Sequence, residues 1–284
     1  MKKFLFWIGL CLAAMPLRAS ELRTDSLYSA TLKAEVKYNV YLPDGYGEPG
    51  RHYPVIYLLH GLSDTYEAWS DRGRMEWVAD ELVRSGEMVP TVIVMPNAGG
   101  PDVHKTQNGY FNMPGWAYED FFFGEFLPAV EAKYACGGSK GQRAVMGLSM
   151  GGGGSVVYCQ RHPEMFSSCY AMSAWLDNRS SEVASPSEKK DCMDYVSEAV
   201  TRHSALDFVS GASEQELEKL RTVAWFIDCG DDDFLFDQSV MLHQLMRRRG
   251  VKSELRIRDG VHNWEFWHLA LRMSLPFASR NFSR

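Results

Sequence analysis

The stretch Ala144-Val145-Met146-Gly147-Leu148-Ser149-Met150-Gly151-Gly152-Gly153-Gly154 decides the fold, because an apolar run delivers one serine into a crowd of glycines. This is the G-x-S-x-G pattern of a nucleophile elbow, a sharp strand-to-helix turn with the serine at its apex. Residues two before and two after the serine must lack side chains that would collide, and Gly147 and Gly151 stand at those places. The helix that follows turns backbone N–H groups, beginning with Met150, toward any negative charge that develops beside Ser149. With 24 glycines in 284 residues the pentapeptide arises too easily to decide alone, so its context carries the reading.

That context keeps a fixed order along the chain. Tyr53-Pro54-Val55-Ile56-Tyr57-Leu58-Leu59-His60-Gly61 reads as a buried parallel strand feeding a functional loop, and offers an N–H just after Gly61. Thr222-Val223-Ala224-Trp225-Phe226-Ile227-Asp228-Cys229-Gly230 reads as another core strand and opens into Asp231-Asp232-Asp233-Phe234-Leu235. An acid at the C-terminal end of a strand is where a catalytic triad needs one. Ser253 to Asp259 alternates like a strand and runs into Gly260-Val261-His262-Asn263-Trp264. The order Ser, Asp, His is that of α/β-hydrolases.

The segments Leu58-Leu59-His60-Gly61-Leu62, Gly147-Leu148-Ser149-Met150-Gly151-Gly152, Cys229-Gly230-Asp231-Asp232-Asp233-Phe234 and Gly260-Val261-His262-Asn263-Trp264-Glu265-Phe266-Trp267 resemble the four landmarks of the esterase D family. That family includes microbial feruloyl and acetyl-xylan esterases, S-formylglutathione hydrolases and mycobacterial mycolyltransferases. The resemblance extends over residues 25–280. It implies Ser149 as nucleophile, Asp233 as acid, His262 as base, and the backbone N–H groups of Leu62 and Met150 as oxyanion donors. No cofactor is implied.

Each of these residues has a plainer alternative. His60 is a second candidate base, but a His-Gly turn more often shapes an oxyanion loop. His262, close to Trp264 and Trp267, is alternatively a packed core histidine. Asp231, Asp232 and Asp233 are alternatively a solvated acidic loop or a calcium site, although the triplet lacks the spacing of a dedicated calcium loop. One carboxylate is enough to hold a histidine in its tautomer; Asp233 is preferred, with Asp232 or Asp231 in reserve. Trp69, Trp116 and Trp175 are expected in loops at the pocket mouth, as substrate contacts or as packing.

Length and composition fit one enzyme domain over residues 20–284, since 45% apolar residues in 284 can bury one large core. The start differs. Met1-Lys2-Lys3 is basic, Phe4 to Ala14 is apolar and Pro16-Leu17-Arg18-Ala19 ends small, which is the form of a secretory signal peptide over residues 1–19. The apolar core is too short to span a bilayer, which takes about 20 residues. Losing Lys2, Lys3 and Arg18 deepens the formal net charge from −6 to −9, which disfavours nucleic acid as a partner. Five cysteines remain, Cys136, Cys159, Cys169, Cys192 and Cys229, an odd count that leaves at least one thiol unpaired. Cys229 reads as a small buried hydrophobe. No spacing suits a metal site.

The expected architecture is a mostly parallel α/β-hydrolase sheet with helices on both faces and an antiparallel pair over 26–42 at one edge. Further strands are expected near 54–59, 91–95, 143–147, 167–173, 222–229 and 253–258, with helices near 73–85, 117–134, 150–161 and 237–249. The long connection 174–221, with helical spacing over Lys189 to Val209 and Glu214 to Arg221, is expected to form a cap over the active site. The reaction these features imply is hydrolysis of an exported ester, such as feruloyl or acetyl groups on plant polysaccharide. Acyl transfer to a sugar, a formylglutathione-type thioesterase and a non-catalytic carbohydrate-binding module are the alternatives.

Overall fold

The computed structural model describes residues 19–100, 102, 107–178 and 191–283. The expected signal peptide, apart from Ala19, and the middle of the 174–221 connection lie outside the described residues. In chain order the elements are β1 (Glu21–Ser29), β2 (Ala34–Leu42), β3 (Val55–Leu59), α1 (Ala68–Asp71), α2 (Met75–Ser85), β4 (Val92–Pro96), and the small hairpin β5 (Asn112–Met113) and β6 (Trp116–Ala117). They continue with α3 (Tyr118–Phe121), α4 (Leu127–Tyr134), β7 (Arg143–Leu148), α5 (Met150–Arg161), β8 (Ser168–Met172), α6 (Cys192–Arg202), α7 (Ala205–Gly211) and α8 (Glu214–Leu220). The last are β9 (Ala224–Gly230), α9 (Phe236–Arg248), β10 (Ser253–Arg258) and α10 (Trp264–Arg280).

Eight strands form one sheet in the order β1-β2-β4-β3-β7-β8-β9-β10. The first two join antiparallel and the other six run parallel. This is the α/β-hydrolase architecture expected from the sequence. Alternate residues of the central strands feed separate cores. Val55, Tyr57 and Leu59 face the layer that holds α5 and α9, while Ile56 and Leu58 face α2 and α10. Burial on both faces is why these strands read as unbroken apolar runs. Strand order reverses between β3 and β7: the chain leaves β3 for β4 on one side and returns to β7 on the other. In open parallel sheets the crevice beyond such a switch point is the natural ligand site.

One expectation needs correction. The helix expected over 117–134 is interrupted by a π-helical turn at Phe122–Phe126. Pro128 has no N–H to continue the ladder, and its ring would press on the carbonyl four residues back, so the helix widens and restarts as α4. The wider turn sends Phe122 and Phe126 into an aromatic cluster with Tyr38, Tyr57 and Tyr158. Within the connection 174–221, α7 packs on α5 and α9. Val196, Val200 and Leu206, whose apolar spacing suggested a cap, belong to the main core. These helices connect β8 to β9, with α6 beside β5 and α7 on α5 and α9.

The base of β7 is anchored by a buried ion pair. Glu131 of α4 accepts from Arg143 Nε at 2.5 Å and Nη2 at 2.8 Å, from the Gly138 N–H at 2.7 Å and from the Tyr57 hydroxyl at 3.2 Å. Removing one partner of such a pair strands a charge away from water. Glu131→Ala is therefore expected to cost about 3–5 kcal/mol and to lower Tm by roughly 10 °C in differential scanning calorimetry. A shift below about 2 °C would mean that water reaches Arg143 and replaces the carboxylate.

Candidate active site

Ser149 stands between β7 and α5 with φ 52° and ψ −116°, a conformation that L-residues avoid. Such strain, of order 1–3 kcal/mol, persists only where neighbours over-determine it. Three backbone bonds do so here: the Ser149 N–H donates to Met172 O of β8 at 2.9 Å, and the Ser149 carbonyl accepts from Gly153 N at 3.0 Å and Trp175 N at 2.9 Å. The glycines are required by contact. A Cβ on Gly147 would lie 2.5 Å from Gly151 O, and one on Gly151 would lie 2.5 Å from His60 O and 2.6 Å from Leu59 O. The helix N-terminus is thus drawn against the end of β3, and Gly61 comes within reach of Ser149, its ideal Cβ position being 3.7 Å from the Ser149 Cβ.

His262 lies between β10 and α10. Its Nε2 is 3.0 Å from Ser149 Oγ, and its Nδ1 is 2.9 Å and 3.0 Å from the two carboxylate oxygens of Asp233. Three residues far apart in sequence therefore form one hydrogen-bonded chain at the switch point. Asp233 is almost fully buried, and burial alone would raise its pKa. Hydrogen bonds from His262, from the Ser173 hydroxyl and from the Leu235 N–H outweigh that burial and hold the carboxyl below its ordinary value.

The acidic triplet divides its work. Asp231 Oδ1 accepts the Gly260 N–H at 3.1 Å, and the Asp232 N–H donates to Gly260 O at 3.1 Å. These bonds fasten the loop after β9 to the loop after β10 and so bring Asp233 to His262. Both Asp231 and Asp232 are exposed and neither is recorded bonding to the imidazole.

His60 is not a second base. The Ala98 N–H donates to its Nε2 at 3.0 Å, so the ring proton sits on Nδ1 and is donated to Gly61 O at 2.8 Å. Burial pushes its pKa down to about 4. The neutral ring therefore ties the Gly61–Leu62 turn to the loop after β4. Beside Met150 a small hollow is lined by His60, Ser63, Asp64, Gly99, Gln107 and Asn108. A larger concavity of about 680 Å³ lies at the opposite, N-terminal edge of β8, β9 and β10, lined by residues such as Lys140, Arg221 and Lys252, remote from this chemistry. Leu62 follows Gly61 in the turn after β3, and Met150 opens α5 directly after Ser149.

The three tryptophans part company. Trp69 is fully buried, donates from Nε1 to Leu59 O at 3.0 Å and meets Trp264 edge-on at 5.2 Å, so it has no surface for substrate. Trp116 is also buried, and its Nε1 bonds Ala98 O at 2.9 Å, bracing the loop that His60 holds. Trp175 alone stays half-buried beside the elbow. Sequence reading gave Ser173 no role and named Trp267 only as a neighbour of His262. Trp267 packs edge-on to His262 at 4.8 Å and donates from Nε1 to the Ser173 hydroxyl at 3.1 Å, while Ser173, at φ 46°, bonds Asp233. Single residues that act only through such contacts leave no motif. Cys136, Cys159 and Cys169 are buried, and Cys229 is a buried thiol as expected. No helix among the described residues is long and apolar enough to cross a membrane.

The Esterase family model, described as "Putative esterase", matches residues 29–278. The chain belongs to this esterase family. An endo-1,4-beta-xylanase/feruloyl esterase of Xylanibacter ruminicola is 33% identical over 132 residues, 45% of this chain and 18% of that protein. An esterase of Mycobacterium tuberculosis is 34% identical over 131 residues, 46% of this chain and 27% of that protein. The chain thus spans less than a third of the length of these two curated relatives. Among solved structures, a ferulic acid esterase superposes with a TM-score of 0.87 at 46% identity, over 93% of this chain and 99% of that one. An S-formylglutathione hydrolase from Agrobacterium tumefaciens, at 20% identity and a TM-score of 0.74 over 93% of this chain and 96% of that one, shares the esterase fold.

The burial of His60 sets a pH dependence. Its pKa is about 4 in the fold against 6.5 for an ordinary histidine, so between these values the unfolded chain binds a proton that the native one refuses. Stability is then lost as pH falls from 6.5 toward 4, by up to about 3 kcal/mol from this group. Urea midpoints measured across this range should fall less steeply for His60→Gln than for the wild type. Parallel curves would show that His60 protonates freely in the fold.

Proposed function

We propose that the chain is an exported serine carboxylesterase that hydrolyses acyl esters through Ser149, His262 and Asp233, with feruloyl or acetyl groups on plant polysaccharide as substrates. The observation that carries this reading is the unbroken chain of hydrogen bonds from Asp233 through His262 to Ser149 at the switch point. The likeness to a ferulic acid esterase at 46% identity supports the acyl group, and the xylanase/feruloyl esterase relative supports the polysaccharide setting.

In this reading Ser149 Oγ attacks the ester carbonyl carbon while His262 Nε2 takes the hydroxyl proton. Asp233 holds the imidazole with Nδ1 protonated and stabilises the imidazolium. The carbonyl oxygen becomes an oxyanion that accepts from the Leu62 and Met150 N–H groups, each donor contributing roughly 3–4 kcal/mol. Collapse expels the alcohol oxygen, which takes the proton from His262 Nε2, and leaves the acyl group on Ser149. Water then attacks the acyl carbon as His262 removes its proton, and the second collapse returns that proton to Ser149 with release of the acid. No cofactor enters these steps. Trp175, beside the elbow, is the tryptophan left to meet an aromatic acyl group. A sugar hydroxyl in place of the water would make the same acyl-enzyme a transferase, and product analysis with and without acceptor sugar separates the two outcomes.

Ser149→Ala is expected to lower turnover of methyl ferulate and p-nitrophenyl acetate by at least about 10³-fold with an unchanged melting curve. Retained activity would reject the mechanism. Asp233→Asn should also cost orders of magnitude, because an amide favours the wrong imidazole tautomer. In contrast, Asp231→Asn keeps an oxygen for Gly260 and should lose little. A reversed ranking would move the acid to another residue of the triplet.

A further inference from the structure

We propose that Phe234 is the recognition platform for the alcohol half of the ester, namely the flat apolar face of the sugar that leaves from His262. The assignment rests on the esterase reading above and deepens it. The turn after β9 sends neighbouring residues in opposite directions. Asp233 and Leu235 point inward at 4% and 6% exposure, and Phe234 between them stands 77% exposed, the highest value among the exposed large apolar residues of the described chain. Its ring centre lies 4.4 Å from that of His262, tilted by 45°. Val261, the residue before His262, is exposed as well.

His262 does not need Phe234 for support. Trp267, only 5% exposed, already packs against the imidazole edge-on at 4.8 Å, and Asp233 fixes its tautomer. A phenylalanine so exposed forgoes most of the stabilisation that burial would give it. An apolar ring in that state, touching a reactive group, is suited to a partner that arrives with the substrate.

Proton transfer fixes which half of the substrate this is. The proton that His262 Nε2 takes from Ser149 must pass to the leaving oxygen, so that oxygen comes within hydrogen-bond distance of Nε2. The alcohol's first carbon is one bond further, beside the imidazole and within reach of the Phe234 ring tilted against it. The acyl half extends from the carbonyl carbon at Ser149, whose oxygen points away toward the Met150 and Leu62 N–H groups. An aromatic face on the leaving-group side matches the C–H face of a sugar ring. A methyl alcohol is too small to cover it.

The test compares methyl ferulate with a feruloylated arabinofuranosyl oligosaccharide. Both give the same feruloyl-enzyme, so deacylation is common and any difference reports on the alcohol during acylation. Phe234→Ala should lower kcat/KM for the oligosaccharide ester roughly tenfold more than for methyl ferulate, and Phe234→Trp should restore most of the difference. Equal losses on both esters would overturn the assignment and make the ring a support for His262. No loss on either would overturn it too. A wild-type protein inactive on both esters and on p-nitrophenyl acetate would instead sink the esterase reading, and this assignment with it.

Discussion

The structure depends on one backbone conformation, the positive φ of Ser149. A serine at φ 52° and ψ −116° cannot hold itself there, so the surroundings are shaped to hold it. Its N–H and carbonyl are tied to β8 and to the residues that follow β8, while glycines at 147 and 151 let α5 press its first turn onto the end of β3. Because α5 sits so close to β3, the Gly61 turn comes beside Ser149, and the neutral ring of His60 then locks that turn to the loop after β4. Moving any of these pieces by the width of a methyl group would relax the serine into an ordinary conformation and lower its hydroxyl into the sheet.

The remaining groups arrive from the other end of the sheet. β9 and β10 each finish in a loop, and the two loops are zipped together by Asp231, Asp232 and Gly260. That zipper converts two parallel strands into a rigid mount for Asp233 and His262. Burying Asp233 has a cost, offset by three hydrogen-bond donors arranged around it. One of these, Ser173, is itself oriented by Trp267, the residue that walls the imidazole. The acid and the base are therefore held by the same small set of contacts, which couples their positions.

Much of this was legible in the sequence for physical reasons. A strand buried on both faces must be apolar throughout, and a strained elbow must be flanked by small residues, so β3, β7 and Ser149 announced themselves. The order of serine, acid and histidine followed from strand ends that carry the right residue types. What was not legible depends on packing at a distance. Trp69 and Trp116 look like pocket residues until the carbonyls of Leu59 and Ala98 are found beneath their indole nitrogens. The apolar stripe from Val196 to Leu206 implies that something covers it, but not that its residues join the main core. The choice among three consecutive aspartates turns on the register of two loops.

The separation of Ser149, Asp233 and His262 along the chain has a temporal meaning. The strained turn draws on β3, β7 and β8, whereas His262 follows β10, 113 residues after Ser149, and is made later. Since domains are synthesised from the N-terminal end at about 5–20 residues per second, the serine spends roughly 6–20 seconds without His262. Through that interval the Ser149 hydroxyl has no imidazole to bond. The hydrogen-bonded chain from Asp233 to Ser149 closes only when β10 and α10 join the sheet, so its formation reports completion of the sheet.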